Sequence, residues 1–203
     1  ENQNNVNLSL LDIQKNNFKR FDGILDEENQ SKDLFSNDGK LLFNKELQKF
    51  IYVFYYKNKV FHFDLNLENS EKLQTIDTIT RPDFTLSYLQ KKRQIKMSNN
   101  ATVVNKYAAT SGNYLYISSN RIGKNERKEM YKEATIIDIY DLRNNQYVNS
   151  FYFYNYKGKP IHEFFVEEDY IIGLGESFLS IAKFRNKKIV AQQSGISRKP
   201  VIE

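Results

Sequence analysis

The chain contains no cysteine and only two histidines in 203 residues. Without thiols it can hold no disulfide, no thiolate nucleophile and no Cys-ligated zinc or iron–sulfur centre. This absence does not fix the compartment, because envelope and cytosolic proteins both occur without cysteine. His62 and His162 stand 100 positions apart, and no Gly-x-Ser-x-Gly elbow accompanies either of them. A hydrolytic triad is therefore disfavoured, and each reads as a satisfied or exposed strand histidine. Gly173-Leu174-Gly175 and Ile122-Gly123-Lys124 are too short for a phosphate loop and read as turns. No apolar run approaches the roughly 18 residues of a spanning helix, and no EF-hand spacing is present. No cofactor or metal is expected.

What is present is aromatic and mildly basic. Fourteen Tyr and fifteen Phe make up 14% of the chain, and 40% is hydrophobic. Aromatics favour half-buried pleated surfaces, so this composition predicts a strand-rich fold, either one large β domain or two small ones. The net charge of +5 comes from 30 basic against 25 acidic residues. Its densest spots, Lys91-Lys92-Arg93 and Arg185-Asn186-Lys187-Lys188, are short and lack interleaved stacking aromatics. They read as solvated loops and turns, and no nucleic-acid partner is expected. Only the start (1–5) and the polar stretch 26–33 have the composition of disordered chain.

One pattern recurs. An apolar strand ends in Asp or Arg, a short polar turn follows, and a second strand begins. The copies lie at 8–21, 59–76, 134–151 and, more weakly, 180–192. Their marker residues Asp12, Asp64, Asp141 and Arg185 are 52, 77 and 44 residues apart, the scale of one four-stranded propeller blade with insertions. The reading is an all-β fold: a β-propeller of four-stranded antiparallel blades, and part of a larger propeller. Blade boundaries fall at 5–25 (a blade end), 39–80, 102–156 and 160–193.

Within the second unit, 39–44 and 49–56 form a hairpin across Lys45 and Glu46. The latter strand, KFIYVFYY, is apolar on both faces and belongs inside a sheet stack. Asn58 turns the chain into 60–64, where His62 and Asp64 alternate with Phe61 and Phe63 as on a half-exposed strand. The third unit reads 102–110, 114–118, 136–142 and 147–154, and the last 160–169, 170–175, 177–184 and 187–193. Phe54, Ile117, Ile139 and Ile172 are expected between sheets. Segment 120–134 has helical composition without an apolar face, so an extended hairpin or exposed loop is expected there. Segment 78–101, broken at Arg81-Pro82-Asp83, is the other long connection. The first blade shows only its third and fourth strands, and its inner two are expected from elsewhere, pairing with 6–12.

The stretches 37–67, 75–78, 103–108, 114–126, 136–142 and 150–154 resemble the carboxy-terminal half of uncharacterised envelope β-propeller proteins from Gram-negative gliding-type bacteria. That resemblance covers roughly 35–185. It implies a propeller of about six or seven blades, preceded by an export segment or lipid anchor, and so a periplasmic or outer-membrane-associated protein. The chain begins at Glu1 without an initiator methionine, which accords with such a lost segment. It brings no assigned activity and no functional residue.

Asp12, Asp64 and Asp141 could ring an axis as cation ligands, but an Asp at a strand end more often caps the following turn. The run Phe151–Tyr156 could stack sugars or bases, yet alternating Phe and Tyr more often divide between core and neighbouring blade, leaving Tyr154 and Tyr156 the least settled. The functional expectation is a non-catalytic propeller acting as an accessory or scaffold subunit of a bacterial cell-envelope complex. Its partner is a protein of that complex or the missing part of its own propeller. Contact is expected through 78–101 and 120–133, with Arg81, Arg93, Arg121 and Arg127 as anchors, because Arg grips carboxylates while its stem packs on apolar surface. The alternative is a ligand-binding, hydrolytic or lyase propeller acting on a sugar or peptide through its axial channel.

Overall fold

The computed structural model describes residues 7–21, 25, 35–89, 94–97, 101–123 and 127–184. Fifteen strands account for nearly all regular structure there. A two-stranded sheet, β1 (Leu8–Asp12) and β2 (Asn17–Phe21), comes first. It is followed by a four-stranded antiparallel meander of β3 (Gly39–Asn44), β4 (Lys49–Phe54), β5 (Lys59–Phe63) and β6 (Ser70–Gln74). A separate hairpin pairs β7 (Leu86–Leu89) with β8 (Gln94–Met97). The second full meander is β9 (Asn105–Ser111), β10 (Tyr114–Ser119), β11 (Ala134–Asp141) and β12 (Gln146–Tyr154). The last sheet has β13 (Glu163–Glu167), β14 (Tyr170–Leu174) and β15 (Leu179–Lys183). The fourth strand expected at 187–193 and the blade marker Arg185 lie outside the described residues.

Three apolar clusters lie between consecutive sheets. Leu8, Leu25, Tyr52, Phe54, Phe61 and Phe63 join the first sheet to the β3–β6 blade. Ile51, Val53, Val60, Ala108, Leu115 and Tyr140 join that blade to β9–β12. Tyr116, Ile137, Phe151, Phe153, Phe164 and Ile171 join β9–β12 to the last sheet. Each interior sheet is thus buried on both faces, as the doubly apolar β4 requires: Ile51 and Val53 face one neighbour, Tyr52 and Phe54 the other. Four-strand meanders stacked face to face in chain order are propeller blades, and the chain is an all-β partial propeller.

The inner strands β3, β9 and β13 stand side by side, and they run the same way. At their first residues Lys40 Nζ pairs with Glu163 Oε1. At their last residues Phe43, Thr110, Ser111 and Glu167 meet around one cleft. They line the axial side of the array, with β6 and β12 at its outer rim.

Several expectations are corrected by packing. Phe54, Ile117 and Ile139 are buried, but Ile172 is only half-buried, and Ile171 faces the core instead. Gly173 sets that register. It lies in β14, not in a turn, and a Cβ there would come within 2.6 Å of the Phe153 ring and 2.7 Å of Ile161 Cγ2. Its bare backbone lets the last sheet close on β12. His62 is buried, not half-exposed, because β5 is covered on both faces. The β3–β4 turn takes four residues, Lys45 to Gln48, with Gln48 at φ 52°. The first strand starts at Leu8, and β9 at Asn105 rather than 102. Segment 120–134 holds one helical turn, α1 (Met130–Glu133), whose Met130 is 6% exposed and packs inward, although the rest of the turn is exposed.

Turn chemistry repeats with the blades. Asp12 Oδ1 accepts the amides of Gln14 and Lys15, each at 3.0 Å. Asp141 Oδ1 accepts the Arg143 amide at 2.9 Å. Asn44 does the same for Leu47 at 2.7 Å. In each case the residue four positions on, Asn16, Asn145 or Gln48, has positive φ and turns the chain back. Asp64 caps a longer turn through the Glu68 amide at 2.9 Å and Asn69 Nδ2 at 2.6 Å. The repeated carboxylates are turn caps. Hydrogen bonding from Arg143 holds the Asp141 carboxyl below its ordinary value of 3.8, so its contribution is present above that pH and lost as pH falls further. Asp141→Ala is expected to lower unfolding free energy by about 1 kcal/mol. Urea denaturation at neutral pH reads this, and an unchanged midpoint would show that the turn closes without its cap.

Candidate functional site

Two long connections leave the array at one end, the end marked by Lys40 and Glu163. The cross-strand pairs Gly39–Phe54 and Asn105–Ser119 place the exits of β4 and β10 there. The connection after β6 returns to the same end, because the Asn58 amide donates to Ile79 O at 2.7 Å and Asn58 Nδ2 to Asp77 O at 2.6 Å. Arg121 Nε lies 3.0 Å from Asp77 Oδ2, so it clips the start of the 120–133 segment to the start of the 78–101 segment. The two segments that sequence marked as contact surfaces form one neighbourhood.

The β7–β8 hairpin rises from it. Phe84, just before β7, packs edge-on against Tyr56 at 5.5 Å and Phe35 at 6.3 Å, which anchors the base. The register Leu86–Met97 and Tyr88–Ile95 puts four apolar side chains on one face of the ribbon, and Ser87, Lys96 and Leu89 on the other. Tyr88 is 60% exposed, Ile95 41% and Leu86 37%. A two-stranded ribbon with an uncovered apolar face is marginally stable alone. Covering that face against another surface would stabilise it.

Of the four arginines, Arg121 is engaged with Asp77. Arg127 is exposed on the 120–133 segment, with Nη2 3.7 Å from Met130 Sδ. Arg81 is exposed at the bend before Pro82. Arg93 and the basic spots 91–93 and 185–188 lie outside the described residues. The structure thus gathers Arg81, Arg121 and Arg127 at one end of the array. Tyr88 and Ile95 are also exposed there, and no sequence motif marks them. The signal for them is the alternation of Leu86 and Tyr88 with Ile95 and Met97 in a segment read only as a connection.

At the opposite end of the inner strands Phe43, Lys45, Glu46, Thr110, Ser111 and Glu167 line an open cleft of about 430 Å³. Thr110 Oγ1 is already committed, accepting from Asn44 Nδ2 at 2.6 Å and donating to Tyr114 O at 3.0 Å. Neither histidine lines this cleft. It offers mixed charge for a polar ligand but no paired nucleophile and base.

His62 is a buried polar group that bridges two blades. Its Nε2 donates to Asn145 Oδ1 at 2.7 Å, and its Nδ1 accepts from Lys49 Nζ at 3.3 Å. Lys49 also donates to Glu71 Oε1 at 2.7 Å, and Asn145 Nδ2 donates to Glu71 Oε2 at 3.2 Å. Burial pushes the imidazole below its ordinary value of 6.5; the bond to Asn145 opposes this, the Lys49 charge adds to it, and Glu71 opposes it. The group ties β4 and β5 to the β11–β12 turn of the next blade. It is an inter-blade lock, as are Asn105 Nδ2, which donates to Phe54 O at 2.7 Å, and Tyr140 Oη, which accepts the Ile76 amide at 3.1 Å. His162 is exposed beside Glu163. In the aromatic run Phe151 and Phe153 are core, whereas Tyr154 and Tyr156 are exposed, Tyr156 leaning on Phe178 at 5.3 Å.

No protein-family model matches the chain, and no curated protein matches it. Among solved structures it is similar to the β-propeller domain of Myceliophteria thermophila Cps50 (Swd1), with 10% identity and a TM-score of 0.40 over 73% of this chain. The match spans 36% of that chain's length. It is also similar to Kluyveromyces lactis Hsv2, with 9% identity and a TM-score of 0.22 over 74% of this chain and 76% of that one. Likeness at this level carries no functional inference, and the propeller class rests on the strand order and stacking described above.

Proposed function

We propose that this protein is a non-catalytic β-propeller that acts as a protein-binding accessory or scaffold subunit of a bacterial cell-envelope complex. One observation carries the reading: the β7–β8 hairpin holds Leu86, Tyr88, Ile95 and Met97 on one face, the first three of them exposed, and none of the four belongs to the apolar clusters between the blades. Aromatic and aliphatic side chains presented on a firmly based projection are the usual centre of a protein contact, with charged groups at the rim. Arg81 and Arg127 supply such a rim and favour a carboxylate-bearing partner surface. The envelope setting rests on the resemblance described at the outset.

The test is purification under gentle conditions from the native host, for the wild type and for Tyr88→Asp/Ile95→Lys, with mass spectrometry of what accompanies each. An envelope protein is expected with the wild type, and its affinity for the variant is expected to fall at least about tenfold, some 1.4 kcal/mol. A variant that retains every partner, or a wild type that runs alone and turns over a substrate, would overturn the reading. Fractionation of the same cells checks the location: recovery in the cytosol would remove the envelope part of the proposal.

A further inference from the structure

The two terminal sheets of the array carry apolar surface that every interior sheet buries. In the last sheet Phe164, Val166, Ile171 and Ala182 face β9–β12 and are covered. Its other face presents the cross-strand row Phe165, Ile172, Ile181 and beside it Leu174 and Leu179. Phe165 is 55% exposed, and Leu179 and Ile181 are each 65% exposed. At the opposite terminus the β1–β2 sheet covers the face of the β3–β6 blade only in part. Tyr52, Phe54, Phe61 and Phe63 are buried beneath it, whereas Leu41 and Phe43 on the inner strand remain 50% and 46% exposed. Among the described residues β1 pairs only with β2, so its other edge, the one toward the axis, carries no strand.

We propose that both surfaces are blade interfaces within one ring, closed by polypeptide N-terminal to β1: a two-stranded hairpin pairs with the open edge of β1 over Leu41 and Phe43, and a further blade covers Phe165, Ile172 and Ile181. The chain's own interfaces say what kind of occupant fits. Wherever an apolar row of one blade is covered, the cover is the matching face of the next blade, with the inner strands β3, β9 and β13 alongside one another. The next place in that series is beside β13. Strand order identifies the source. In both complete blades the inner pair immediately precedes the outer pair in sequence, and β1–β2 occupy the outer positions. Their inner pair therefore precedes them.

A second copy stacked head to tail does not fit. It would offer the last sheet only the two-stranded outer face of β1–β2, with Leu11 and Phe18, and would bring no strand beside β13 to cover Phe165.

Thiol accessibility tests this on the polypeptide as the native host makes it, with single cysteines introduced as Leu41→Cys, Ile181→Cys or, as a reference, Ile13→Cys in the 84%-exposed β1–β2 turn. At every protein concentration Leu41→Cys and Ile181→Cys are expected to react with maleimide at least about 100-fold more slowly than Ile13→Cys, as covered interface positions do. Hydrogen exchange on the unsubstituted protein adds a readout free of substitution: the Leu8–Asp12 amides should be protected on both sides of the strand. Labelling at the rate of Ile13→Cys would overturn the proposal. Protection that appears only on raising the concentration would assign the face to a second copy, and protection lost on stripping a separate polypeptide would assign it to another protein; either overturns it.

Discussion

Replacing Phe151 by alanine is expected to lower the unfolding free energy by about 3–5 kcal/mol, the range for a buried Phe truncated to Ala. Phe151 is 2% exposed, lies opposite Ile137 across the β11–β12 ladder and meets the Phe184 ring edge-on at 5.5 Å. It sits among Phe153, Ile161, Phe164, Val166 and Ile171, side chains contributed by two different sheets. Truncation therefore removes transfer energy and also leaves a cavity between rigid blades that cannot collapse independently. Against a total stability of about 5–15 kcal/mol for a folded domain, this is a large fraction. Chemical denaturation should show a lower midpoint with an unchanged slope. Tyr154→Ala, three positions along the same strand but 47% exposed, is the comparison and should cost within about 0.5 kcal/mol. A loss below about 1.5 kcal/mol at Phe151 would mean that the last sheet is not packed on β12.

The contrast between Phe151 and Tyr154 marks how far the sequence is legible. Period-two alternation and Asp-headed turns locate thirteen of the fifteen strands, and the doubly apolar β4 announces a sheet covered on both sides. Parity fails where it is ambiguous. Ile171 and Ile172 are both suited to the core, and only the tight approach of Gly173 to Phe153 and Ile161 selects Ile171. In the sequence the β7–β8 hairpin reads as a connection, because its strands are four residues each, too short for a period to stand out. Long-range placement is the other blind spot. The axial cleft assembles Phe43 with Thr110 and Glu167 from three blades, and the contact neighbourhood depends on Arg121 reaching Asp77. No local pattern encodes either. His62 shows the same limit most sharply: a polar residue on an alternating strand reads as solvated, and its partner Asn145 lies 83 positions away in another blade's turn.

That placement gives His62 a measurable pH signature. The imidazole is neutral, with Nε2–H donated to Asn145 and Nδ1 facing the Lys49 ammonium, so protonation would set two positive groups 3.3 Å apart in a site with 1% exposure. The folded chain therefore binds this proton less readily than the unfolded chain, whose imidazole titrates near 6.5. Where the unfolded state holds more protons, stability rises with pH. The contribution is fully present above about pH 6.5 and is lost as pH falls from there toward the depressed folded value. Asp64, Glu71 and Asp141 all titrate below their ordinary values of 3.8, 4.5 and 3.8, so their losses come at lower pH and do not overlap the upper part of this window. Urea midpoints measured from pH 7.5 to 5.5 should fall for the wild type and stay flatter for His62→Gln, which keeps a neutral hydrogen-bonding group but cannot take up the proton. At pH 7.5 His62→Ala should cost about 1–3 kcal/mol, because the buried ring is lost and the half-buried Lys49 and Asn145 lose a shared partner. If the His62→Gln and wild-type curves run parallel through this range, the lock between these two blades does not titrate.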